Sequence, residues 1–108
     1  MKKKIINIPI YQCKLTLLLL PDLSYIEKVY NTRSLSDYAS VTYRVSNSDY
    51  IIALTSKEDI RAVVHELIHV KNYIYEDCSM IVDVVNDEHE AYLVDWLFTE
   101  IEKFLNKN

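Results

Sequence analysis

The chain has 108 residues, of which 50% are hydrophobic and 26% charged, with a formal net charge of −4. That length fits one domain, residues 1–108, with a modest core, and the apolar content excludes a disordered chain. The acidic balance excludes an electrostatic footprint for nucleic acid, because Lys2 to Lys4 form the only basic cluster and read as a solvated terminus.

From the N-terminus, the lysines followed by apolar residues have the outline of a signal peptide. Pro9, Gln12 and Lys14 interrupt the run, however, and no small-residue cleavage site follows. No other stretch approaches the ~20 apolar residues of a membrane span. The expected location is therefore the cytoplasm at synthesis, with no membrane partner. Residues 5–10 alternate as Ile6, Ile8 and Ile10, and residues 13–20 place Cys13, Leu15, Leu17 and Leu19 on one face, which predicts two strands. Pro9 puts the first at an edge or bends it. Pro21 and Asp22 end the second run and open a short helix to about Tyr30, followed by a polar loop from Asn31 to Asp37.

Residues 39–45 and 50–55 read as a hairpin across Ser46-Asn47-Ser48-Asp49. Glycine is absent from the chain, so a turn requiring positive φ is expected to use Asn or Asp, with Asn47 the candidate here. Ser56, with Asp59 three residues on, predicts the start of a helix to about Tyr75. Asn86 or Asp87 caps a last helix to about Leu105. Cys13 and Cys78 lack the spacing of a zinc knuckle or a redox pair and read as two buried thiols. Strands and a short helix followed by two long helices make an α+β domain. The expected sheet is mostly antiparallel, of three or four strands, with the 58–75 helix across one face and the last helix behind the site.

His65-Glu66-Leu67-Ile68-His69 matches HExxH, and its chemistry requires a helix. Positions i and i+4 stand one turn apart on one face, so two imidazoles can converge on one ion about 2 Å from each ring nitrogen. Glu66 lies ~100° round from His65, placed to act as general base on a water bound to the metal. Ile60, Val63, Val64, Leu67, Ile68, Val70 and Ile74 cover an arc from ~140° to ~300°, with the histidines opposite its middle. The apolar face is therefore expected to pack on the sheet, and the histidines to face the last helix.

A catalytic zinc site takes three protein ligands and an open position. Glu76 shares the histidine face but lies ~10 Å along the axis from His69, too far to join it. The next polar cluster is Asp87-Glu88-His89-Glu90, where a carboxylate or an imidazole is available. Helical geometry raises Glu90 as a competitor, since it aligns with Leu93, Val94, Leu97 and Ile101. Glu88 aligns with Tyr92 and Trp96, a stripe through which the helix could touch the HExxH helix and which keeps Glu88 the favoured candidate. The two aromatic residues read as core packing rather than catalysis. Tyr73, Tyr75 and His89 are possible donors to an oxyanion, and nothing in the sequence selects one.

HExxH followed by a glutamate near the start of a later helix resembles the gluzincin branch of zinc metallopeptidases. Glu88-His89-Glu90-Ala91-Tyr92 is similar to their E-x-E-A-D segment. Over residues 58–98 the chain looks most like a set of small phage-encoded HExxH proteins, on Asn86-Asp87-Glu88, Ala91-Tyr92-Leu93-Val94 and Trp96. The resemblance implies a minimal zincin-like fold and a Zn2+ cofactor held by His65, His69 and Glu88, with Glu90 the competing third ligand. It also implies Glu66 as catalytic base and a peptide or protein substrate cut at an amide bond. For a phage-encoded protein the location is the cytoplasm of the bacterial host. Tyr92 departs from the pattern, standing where many gluzincins carry an Asp that supports the second histidine. Two rival readings accompany this one: a zinc-binding phage structural, assembly or regulatory protein without turnover, and a metal-free acidic interaction module whose HExxH is accidental.

Overall fold

Two segments, Leu15–Leu20 and Tyr50–Leu54, are apolar at nearly every position, so their strands need cover on both faces. The computed structural model, which describes residues 1–107, gives them that cover. In chain order the elements are β1 (Lys2–Ile8), β2 (Cys13–Leu19), α1 (Ser24–Tyr30), β3 (Ser40–Ser46), β4 (Asp49–Leu54), α2 (Ile60–Asp77) and α3 (Glu88–Asn106). The sheet order is β1-β2-β4-β3, which places the two doubly apolar strands at the centre. Leu15, Leu17, Tyr50, Ile52 and Leu54 join α2 and α3 in one core cluster, while Leu18, Ile51 and Ala53 join Leu23, Ile26 and Leu35 in a second beneath α1.

The α+β expectation holds, and all four strands precede residue 58. The sheet is mixed rather than wholly antiparallel, because β2 pairs with β4 in parallel while β1–β2 and β3–β4 are antiparallel. The strand patterns account for this order. β4 is buried at five of its six positions and goes to the centre, whereas β3 carries Ser40, Thr42 and Arg44 along one face and takes an outer edge.

Several local expectations are corrected. Lys2 to Lys4 belong to β1, and the Lys2 ammonium donates to the carbonyls of Phe104 and Lys107 at the C-terminal end of α3, where the helix dipole favours a cation. Ile10 lies outside β1, 90% exposed at φ 72°, a left-handed conformation that a β-branched residue tolerates poorly. In the β3–β4 turn the positive φ falls on Ser48, at 68°, not on Asn47. The Asn47 side chain instead accepts a hydrogen bond from Arg44. The cap of α2 is Asp59, whose carboxylate accepts from the Ala62 amide at 3.1 Å. Only Cys13 is buried, and burial first, then the neighbouring Cys78 and Asp77, push its thiol up to about 11; Cys78 is exposed.

The C-terminal end of α2 is fastened to the β3–β4 hairpin through one buried carboxylate. Asp77 accepts hydrogen bonds from the Tyr50 hydroxyl, the Arg44 guanidinium and, at 3.1 Å, the Ser48 amide. Burial alone would raise its pKa, but these donors outweigh that effect and hold it below the ordinary carboxylate value. Asp77 therefore contributes stability that is present above the unfolded value of about 3.9 and is lost as pH falls through the lower folded one. Asp77→Ala leaves the Tyr50 hydroxyl buried without its acceptor and should cost about 2–3 kcal/mol at pH 7. In urea unfolding the difference between variant and native protein should shrink as pH falls below about 4.

Candidate metal centre

α2 shows why the two histidines face outward. Val63, Leu67, Val70 and Ile74 are buried against the sheet, and His65 and His69 emerge on the exposed side. The buried arc is narrower than the sequence pattern suggested, since Ile60, Val64 and Ile68 are 51%, 45% and 37% exposed. α3 docks farther along α2, at Lys71 and Tyr75, and leaves that strip uncovered.

The Nε2 atoms of His65 and His69 stand 3.2 Å apart, with their rings nearly perpendicular at 78°. Two nitrogens bound at 2.0–2.1 Å to one tetrahedral zinc ion are separated by ~3.3 Å. The spacing is compatible with a single shared ion and equally with a hydrogen bond between the two rings. The ligand atoms of His65, Glu66 and His69 all lie within 4.8 Å of one another.

Glu66 is only 4% exposed. It points toward β3, where Ser40 Oγ donates to Oε2 and Thr42 Oγ1 to Oε1, each at 2.6 Å. Thr42 Oγ1 also lies 3.1 Å from the Glu66 carbonyl oxygen. Hydroxyl-to-carboxylate bonds of this length are charge-assisted, each contributing about 1.5–3 kcal/mol, and they offset the cost of burying the charge. Ser40 and Thr42 can act together because they are two residues apart on a strand and so share a face. That i, i+2 hydroxyl pair on a predicted strand was the sequence signal for this contact, and sequence reasoning missed it. Beside the histidines opens a cavity of about 180 Å³ walled by Tyr38, Val41 and Tyr73 as well as these hydroxyls. Tyr73 is braced from behind, stacked at 5.9 Å on Tyr50 with the Arg44 guanidinium over its ring.

The structure does not bring Glu88 to the histidines: it is exposed and outside the chelating group. The reason lies in α3. Tyr92 and Trp96, on the same stripe as Glu88, do not face α2 but line a groove with Ile8, Pro9, Ile10 and Tyr11 from the β1–β2 turn. Tyr92 is 69% exposed, so the expectation of core packing is corrected for it, while Trp96 packs partly against the core. The opposite stripe, Leu93, Leu97 and Ile101, is buried. Glu90 lies on that inner side, but there it meets Lys71 at 2.5 Å, in an ion pair whose side chains are 8% and 20% exposed. Lys71 is two positions beyond His69, ~200° round the helix, so Glu90 is on the far flank of α2. Tyr75 and His89 stack on each other on that flank at 5.7 Å, so of the three expected donors Tyr73 lies beside the histidines, where Tyr38 also lines the cavity. Glu76 is exposed and 3.8 Å from Arg44.

No protein-family model, curated protein or solved structure matches the chain. Among the described residues no helix is long and apolar enough to cross a membrane.

The ion-pair geometry separates the two acidic candidates by stability. Glu90→Ala leaves the buried Lys71 ammonium with only the neutral Asn72 oxygen as acceptor and no counter-charge, and should cost about 3 kcal/mol in urea unfolding. Exposed Glu88→Ala should stay within about 0.5 kcal/mol of the native protein.

Proposed function

We propose that the chain is a zinc-dependent hydrolase of the zincin type that cuts amide bonds in peptides. The observation that carries this reading is the convergence of His65 and His69 Nε2 at a zinc-compatible 3.2 Å beside a buried Glu66 held in one orientation. The resemblance of residues 58–98 to gluzincins and small phage HExxH proteins supports it, and with it a cytoplasmic site of action in a bacterial host.

Zinc, when bound, supplies a Lewis acid that polarises the scissile carbonyl and makes water acidic enough to lose a proton near neutral pH. Glu66 takes that proton on its carboxylate and later delivers it to the departing amine nitrogen, so that water and amide become a carboxylic acid and an amine. Ser40 and Thr42 occupy one lone pair on each Glu66 oxygen and leave the others to receive the proton. Tyr73 faces the same cavity and is placed to donate to the oxygen that gains charge. The outer edge of β3 is unpaired in the sheet, so an extended peptide has backbone groups to bind along the cavity. Glu88, the third ligand implied by the resemblance, would have to come round α2 to complete the set.

That position of Glu88 favours a second reading, in which the chain binds zinc for a structural or regulatory role and turns nothing over. The two readings separate in one experiment. Zinc-loaded protein is incubated with a mixed peptide library and the products are read by mass spectrometry. On the hydrolase reading the native protein cleaves, while Glu66→Gln keeps its zinc and loses at least 100-fold in rate, on the order of a general base's contribution. Zinc uptake without cleavage supports the second reading. His65→Ala and His69→Ala should each abolish stoichiometric zinc uptake; a native protein that takes up no zinc ends both readings.

A further inference from the structure

The carboxylate of Glu66 has two possible employments at this site. One of its oxygens lies within 4.8 Å of a nitrogen of each histidine, close enough that a modest rotation would make it a ligand of the same ion. A ligated carboxylate has given its basicity to the metal and no longer serves as a base. On α2, Glu66 is ~60° round from His69, so helical geometry alone does not hold it off. What holds it is β3. Ser40 and Thr42 each donate to a different carboxylate oxygen at 2.6 Å, and Thr42 also lies against the backbone carbonyl of the same residue. The carboxylate is thus gripped at both oxygens, from one side, by a strand whose register is set by pairing Ser40 with Leu54 and Thr42 with Ile52.

We propose that Ser40 and Thr42 are positioning residues that keep Glu66 out of the metal's coordination shell and so preserve it as a base. This inference rests on the metal-site reading above. It accounts for a feature that reading leaves unexplained, the spending of two side-chain hydroxyls on a carboxylate that a metal ion alone would satisfy. It also specifies the alternative state: without the hydroxyls, Glu66 turns to the histidines and becomes the third protein ligand that Glu88 does not supply in this arrangement.

The test measures zinc affinity by competition with a chromophoric chelator, together with the visible spectrum of the Co2+-loaded full-length protein. In the native protein Glu66→Gln should change zinc affinity by less than about twofold. In Ser40→Ala/Thr42→Val, affinity should rise by on the order of tenfold as Glu66 joins the ion, opposite in sign to the loss that follows when an outer-shell partner of a true ligand is removed. The Co2+ bands should shift as a carboxylate joins the shell, and adding Glu66→Gln should remove both the gain and the shift. Thr42→Ser keeps its hydroxyl and should behave as native. Should the double variant fail to fold, Ser40→Ala and Thr42→Val alone should each show a smaller gain that again depends on Glu66. A native protein that binds zinc, with no gain in any hydroxyl variant, overturns this inference and leaves the metal site standing. A native protein whose affinity already falls with Glu66→Gln also overturns it, because Glu66 is then a ligand from the start. Failure of the native protein to bind either metal overturns the site and this inference together.

Discussion

Burying a carboxylate where a helix meets the edge of a sheet is tolerable only if the sheet supplies donors, and the placement of α2 follows from that requirement being met twice. At Glu66 the donors are the hydroxyls of Ser40 and Thr42; at Asp77, about three turns on, they are Tyr50, Arg44 and the Ser48 amide. These two contacts help fix the rotation of α2 about its own axis against the β3–β4 hairpin. Apolar packing through Val63, Leu67, Val70 and Ile74 gives the helix its place over the sheet and turns its His65 and His69 side outward, and the directional hydrogen bonds narrow that rotation. With rotation set by both, His65 and His69 emerge beside the outer strand, next to a cavity bounded by that strand.

The same two contacts tie Tyr73 to the site. It stacks on Tyr50, whose hydroxyl is held by Asp77, and lies under the Arg44 guanidinium that Asp77 also holds. A donor beside the histidines is therefore supported by the group that anchors the end of the helix. This gives a physical reason for the polar residues of β3 to occur at alternate positions: Ser40, Thr42 and Arg44 share one face and each meets α2.

The position of α3 is settled by a different interaction. Leu93, Leu97 and Ile101 turn inward, and a carboxylate beside them, Glu90, is neutralised by Lys71 in a largely buried pair. Such a pair is costly to break and difficult to form in any other register, so it specifies how α3 lies against α2. The consequence reaches the metal centre, because it directs the Glu88, Tyr92 and Trp96 stripe toward the β1–β2 turn and away from the histidines. On the proposed metal-site reading, a fold that holds α3 by this pair leaves any further ligand to His65 and His69 to come from the β3 side or by movement of Glu88.

Much of this was legible in the sequence. Period-two and period-3.6 patterns located four strands and three helices, because those patterns report which face of an element is buried. The HExxH spacing placed two imidazoles on one face of a helix, because one turn of α-helix brings i and i+4 together whatever the surroundings. Interactions between elements distant in sequence were not legible. The parallel β2–β4 pairing, the Ser40 and Thr42 grip on Glu66 and the Lys71–Glu90 pair each join residues that no local period connects. The sequence by itself determined that two histidines and a glutamate share one helix. Tertiary structure alone decided that Glu66 is held by a strand and that Glu88 stands apart, since each outcome depends on how its own helix, α2 or α3, is rotated against its neighbours.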